Sequence, residues 1–172
     1  MSTSVHERVS GGCACGKVRY ETSGTFAFSF VCVWGLCEVG WGCGVVRAFG
    51  VVVEKTRLAG PVKYYGHVSD SGAATRTGFC SACGSPIVSV TERFPERFYF
   101  LAATLDDTSG FEHEFAVFAD QSPPWDPVPE KLKSWLAFDQ ADAPVAMASA
   151  TASVITTTRT TTRRSWFHGG SA

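Results

Sequence analysis

Two cysteine-bearing turns lie far apart along the chain: "GGCACGKV", with Cys13 and Cys15, and "FCSACGSP", with Cys80 and Cys83. In each, glycine follows the second cysteine, and glycine lets the backbone turn tightly enough for N–H groups to approach a thiolate. A lone C-x-x-C could be redox-active, and four separate buried cysteines would be the plainest alternative. Two such pairs argue instead for one closed, tetrahedral four-cysteine zinc site built from Cys13, Cys15, Cys80 and Cys83. Any fold of this chain then has to bring the two turns into contact.

The chain has seven cysteines, an odd number, and its N-terminal "MSTSVHERVS" lacks the apolar run of a signal peptide. A reducing, cytoplasmic setting is expected, in which clustered thiols bind metal more often than they form bridges. At 172 residues and 45% hydrophobic content the chain is long enough for one domain with its own core. Its net charge of -1 leaves no basic field for phosphates, so no nucleic-acid partner is expected. No membrane partner is expected either, because the longest valine-rich segment is broken by Arg47, Gly50 and Glu54.

Hydrophobic patterning predicts a mostly β, mostly antiparallel domain. "KVRYET" alternates Val18, Tyr20 and Thr22 against Lys17, Arg19 and Glu21, which is a half-buried strand. Phe26, Phe28, Phe30 and Cys32 alternate in the same way and carry Cys32 to a strand end, facing inward or into a pocket. "VVRAFGVVVE", "VKYYGHV", "SPIVSV" and "RFYFLAA" add short strands separated by turn residues. A helix is predicted only in "PEKLKSWLAF", where Pro129 suits a first turn and Leu132, Trp135 and Leu136 share a face. The pattern divides the chain into an N-terminal extension (1–9), a zinc domain (10–142) and a low-complexity Thr/Ala/Ser/Arg tail (143–172), expected to be disordered.

The elements "GGCACGKVRY" and "FCSACGS" resemble the glutathione-dependent formaldehyde-activating enzyme family, also called the CENP-V/GFA domain family. That family's pattern is G-x-C-x-C-G-x-V-x-[YF], then C-H-C-x-x-C, then [FY]-C-x-x-C-G-[ST]. The downstream "AATLDD" and "FADQSPPWDPVPEKL" are also similar to the family's ending. The resemblance implies a β-tent fold, a structural zinc on Cys13, Cys15, Cys80 and Cys83, and a second zinc held by three cysteines of the middle motif. It also implies carbon–sulfur lyase chemistry on a glutathione or other thiol adduct of formaldehyde or a related aldehyde.

The middle motif departs from the pattern. Setting "CVWGLC" in register matches Cys32 and Cys37 but puts Val33 on the family's histidine and Trp34 on its middle cysteine. Catalytic zinc takes three protein ligands and an open position, and an indole offers the metal no lone pair. The second site is therefore degenerate, and Cys43, in a Gly-rich turn beyond it, reads as a small-residue filler rather than a third ligand. Around it, every residue of 31–53 except Leu36, Glu38, Arg47, Ala48 and Phe49 is Val, Gly, Trp or Cys, a bias that either divergence or a reading-frame slip would give. His67 and His113 read as surface or core imidazoles, and His168 lies in the tail. Trp125, beside Pro123 and Pro124, reads as a packing anchor more than a pocket wall. Asp106 and Asp107 read as turn formers. No catalytic acid and base can be paired. The competing function is a non-catalytic, zinc-stabilised binding module of the same fold. A methionine-sulfoxide reductase would want a second C-x-x-C where this chain has "CAC".

Overall fold

The computed structural model of the chain describes residues 8–23, 26–69 and 72–135. The tail at 143–172 lies outside them. Within them the fold is mostly β, in two sheets. Strands β1 (Arg8–Gly12), β2 (Arg19–Ser23) and β5 (Thr56–Ala59) form a small antiparallel sheet in the order β1-β2-β5.

The larger sheet has eight strands in the order β11-β10-β3-β4-β9-β8-β7-β6. They are β3 (Phe28–Cys32), β4 (Val46–Val52), β6 (Val62–Val68), β7 (Ala74–Cys80), β8 (Pro86–Thr91), β9 (Arg97–Leu101), β10 (Phe115–Val117) and β11 (Lys133–Trp135). Its pairings are antiparallel except that β10 runs parallel to both β3 and β11.

Side-chain alternation divides the core between the two faces of the large sheet. Phe49 and Val51 of β4 and Phe100 of β9 join Val18 and Tyr20 beneath the small sheet. Val46 and Ala48 of β4 and Tyr99 of β9 join Phe28, Phe30, Cys32 and Phe115 on the opposite face. The central strands are thus buried on both sides, which is why "VVRAFGVVVE" reads as a nearly continuous apolar run. Tyr20 binds the sheets together: its ring stacks on Phe100 with centroids 3.9 Å apart, and its hydroxyl lies 2.9 Å from Thr104 Oγ1. Burial pushes its pKa up to about 12.

Over the described residues 129–135 the expected C-terminal helix does not form. After a single turn closed by Leu132 N–H to Pro129 C=O (3.0 Å), the chain extends as β11 and pairs with β10. A helix of ten residues is marginal without packing. Here the open edge of β10 offers strand hydrogen bonds, and Leu132 packs on the cluster of Val31, Val33, Val45 and Ala116.

The helix that does form, α1 (Gly35–Trp41), lies in the middle motif, where no helix is predicted. Two devices stabilise it. Gln121 Oε1 accepts the N–H of Gly35 at 3.2 Å, and Gly42, at φ 69°, ends the helix with its N–H on Glu38 C=O at 2.8 Å.

Candidate metal centre and adjoining cavity

The β1–β2 loop carries Cys13 and Cys15, Cys80 is the last residue of β7, and Cys83 lies in the β7–β8 loop that follows it. The two loops share a construction. Gly16 N–H donates to Cys13 C=O (3.0 Å) and Gly84 N–H to Cys80 C=O (2.8 Å), and both glycines take left-handed backbone angles, φ 73° and 76°. A side chain at either position would be strained, so glycine there is a requirement of the turn.

The four sulfurs lie within 4.8 Å of one another, with Cys13 to Cys15 at 3.4 Å and Cys15 to Cys80 at 3.8 Å. A tetrahedral zinc with bonds of about 2.3 Å would set its sulfurs about 3.8 Å apart, so the donor set fits one such ion. Among the described residues, this is the one group of three or more Cys, His, Asp or Glu side chains placed to hold a metal.

Polar contacts around the sulfurs favour thiolates. Val18 N–H donates to Cys13 Sγ at 3.2 Å, and Ser85 Oγ lies 3.2 Å from Cys83 Sγ while accepting Ala14 N–H. The Ser85 hydroxyl and N–H bring the Cys83 thiol down to about 5. For Cys13, desolvation raises the thiol pKa, but the Val18 N–H and the neighbouring Cys15 and Cys80 outweigh it and the net shift is down. For Cys15, the Lys17 N–H lowers the thiol pKa, yet crowding by Cys13 and Cys83 leaves it up at about 11. Four sulfurs this close cannot all ionise unaided, and a dication at their centre removes that repulsion.

Cys32 and Cys37 belong to the opposite face of the sheet. Cys32 ends β3, Cys37 lies in the first turn of α1, and their sulfurs are 3.5 Å apart. The contact with Cys37 and the N–H of Trp34 hold the Cys32 thiol below its ordinary pKa against the effect of burial. The same contact, with burial, raises Cys37.

Both thiols line a cavity of about 400 Å³. Its floor is aromatic, from Phe30, Trp34, Trp41, Phe94, Tyr99 and Phe118. Its far wall carries the hydroxyls of Ser69, Thr75, Thr77, Ser89 and Thr91, with Arg93 and His67. The Trp34 ring stacks on Phe118 at 5.9 Å. Phe118 takes a left-handed backbone angle, φ 58°, which a bulky side chain adopts rarely and at a cost of about 1–3 kcal/mol.

The sequence-predicted residues divide accordingly. Cys13, Cys15, Cys80 and Cys83 converge, and Cys32 and Cys37 meet each other with no third Cys, His, Asp or Glu placed beside them to hold a metal among the described residues. Cys43 is exposed beyond the end of α1, outside any metal-holding group. Val33 is fully buried and packs with Val31 and Val45, whereas Trp34 packs with Cys32 and Cys37. Position 34, not 33, therefore addresses the cavity.

His67 lies on the cavity wall, 6.1 Å from the Trp34 ring, with its Nδ1 buried and lacking a hydrogen-bond partner, and burial lowers its pKa. The two-residue period of β6 carried no sign of this role. Trp41 and Phe118 were also missed as site residues. The spacing Trp34, Cys37, Trp41 with Gly42 behind it was the available signal for a helix presenting one face to the cavity. Trp125 is largely exposed and does not line the cavity; a Cβ at Gly44 would meet its ring.

A family model described as glutathione-dependent formaldehyde-activating enzyme matches residues 8–121. A solved protein of Rhodobacter sphaeroides aligns over 73% of this chain and 98% of its own, with 20% identity and a TM-score of 0.47. No curated protein gives a match. The family match spans the small sheet, both cysteine turns, the Cys32–Cys37 pair and β10, and on that extent the chain belongs to the glutathione-dependent formaldehyde-activating enzyme family.

Proposed function

We propose that the chain is a zinc-stabilised member of this family whose cavity receives a thiol adduct of an aldehyde, and whose carbon–sulfur lyase step is disabled by Trp34. Zinc is assigned to Cys13, Cys15, Cys80 and Cys83, where it holds the two loops together and keeps no open position for substrate. The carrying observation is the cavity beside Cys32 and Cys37: it offers two thiols and an indole where metal-assisted polarisation of an adduct needs three ligands. The same observation favours the second reading, a binding module that takes the adduct without turning it over. The gathering of four cysteines into one group placed to hold a metal supports a reducing, cytoplasmic setting.

Zinc stoichiometry and turnover of the formaldehyde–glutathione adduct test the proposal in the parent chain and in Trp34→Cys. The parent should hold one zinc and show background turnover, and Trp34→Cys should take up a second ion and gain activity. Val33→His is no part of this repair, since it would bury an imidazole among valines. A parent chain that binds two zincs and turns the adduct over would overturn the assignment of Trp34. Occupancy of the second site without turnover in Trp34→Cys would favour the binding module.

A further inference from the structure

We propose that Cys32 and Cys37 form a redox-active dithiol that exchanges with small aryl or alkyl disulfides entering the aromatic cavity. The inference does not rest on the lyase reading, because it uses the two thiols as they stand, without metal.

Three observations carry it. First, the sulfurs are already 3.5 Å apart. A disulfide bond of about 2.05 Å needs them to approach by only about 1.5 Å. Second, Cys32 is fixed in the buried end of β3, whereas Cys37 rides on α1, seven residues long, in which no residue is fully buried and only Cys37 and Trp41 pack against the core cluster, so a small shift of the helix makes that approach with little repacking. Third, both thiols line a cavity of a size that takes small ligands. Its lining contains no carboxylate, and its floor of Phe30, Trp34, Trp41 and Phe118 suits apolar substituents.

The exchange balances as follows. One cysteine, as its thiolate, attacks a sulfur of R–S–S–R; that S–S bond breaks and the first R–S⁻ leaves, taking up the proton the cysteine gave up. The second cysteine then attacks the protein sulfur of the mixed disulfide, forms the Cys32–Cys37 bond and expels the second thiol. The pair loses two electrons and two protons, and the disulfide gains both to become two thiols.

The test uses the full-length, zinc-loaded chain with Cys43→Ser, which removes the exposed bystander thiol, and 2,2′-dithiodipyridine as the probe. The expected result is release of two thiopyridone equivalents per chain, a mass loss of two hydrogens, and a peptide cross-link joining Cys32 to Cys37, with zinc retained. Adding Cys32→Ser or Cys37→Ser should abolish the mass loss, and one of the two variants should trap the mixed disulfide. Zinc content reports that each variant is folded. A pair that stays reduced, or a stable mixed disulfide on the parent, would overturn the dithiol. Oxidised glutathione reacting as fast as the aryl disulfide would overturn the apolar selectivity. Neither result bears on whether Trp34→Cys restores lyase turnover, so the two proposals fail separately.

Discussion

At the scale of single residues, the four cysteines of the metal centre differ in burial: Cys13 and Cys80 are buried, whereas Cys15 and Cys83 face solvent. Cys80, with no exposed surface, cannot be replaced by another ligand from the surface. Cys80→Ser should therefore lower zinc content and the melting temperature together, and unchanged values for both would remove Cys80 from the site. Asp106 makes a different kind of tie. It pairs through both carboxylate oxygens with Arg19, accepts the Ser10 hydroxyl at 2.6 Å, and so fastens the small sheet to the turn after β9. Those bonds, led by Arg19, hold its carboxyl below the ordinary value. A depressed carboxylate pKa contributes stability that is present above the unfolded value, near 4, and is lost as pH falls through the folded one. The pair is half exposed, so solvent screening keeps its contribution to about 0.5–1 kcal/mol. Asp106→Asn should destabilise by that amount at neutral pH, measured by urea unfolding, and the difference from the parent should close on acidification.

At the scale of elements, α1 positions the chemistry of the cavity, and its C-terminus depends on one left-handed residue. An L side chain at Gly42 costs about 1–2 kcal/mol in that conformation. Gly42→Ala should loosen the helix and speed alkylation of Cys37 while leaving zinc content unchanged; equal labelling rates would mean the helix is held by other contacts. The strands were legible because their side chains alternate: Tyr20 and Thr22 on β2, and Phe28, Phe30 and Cys32 on β3, behave as the period of two requires, whereas Phe26, ahead of β3, packs with Phe49 and Phe111 on the other face. The convergence of Cys13, Cys15, Cys80 and Cys83 was legible because glycine after each second cysteine marks a turn of defined hand. The helix at Pro129 failed because local periodicity says nothing about an unpaired strand edge elsewhere, here that of β10. Helix α1 was hidden by Gly35, Gly40 and Val39, poor helix formers whose preference is overridden by Gln121 at one end and Gly42 at the other. The valine- and glycine-rich stretch around it, odd in composition, supplies β4 and the end of β3, two neighbouring strands inside the large sheet.

At the scale of the whole molecule, the metal centre and the cavity lie on opposite faces of one sheet, so each can be perturbed without touching the other. The centre joins the β1–β2 loop of the small sheet to the β7–β8 loop of the large one, and it does so across the core that contains Tyr20, Ile87 and Phe100. Structural zinc in small domains contributes an apparent ~10–16 kcal/mol, comparable with a typical net stability of ~5–15 kcal/mol. Without the ion, the crowded sulfurs of Cys13, Cys15, Cys80 and Cys83 repel as they ionise and the small sheet loses its tie. A chelator strong enough to strip the chain should therefore lower the melting temperature steeply, and near-ultraviolet dichroism of the Tyr20–Phe100 stack should fall in the same step. Truncation after residue 142 is the control. The sequence of 143–172 has no apolar period with which to offset the entropy of ordering it, so the shortened chain should keep both its zinc and its melting temperature. A metal-free chain that melts with the loaded one would show that the core alone holds the sheets together. A truncated chain that melts well below the parent would show that the tail packs against them.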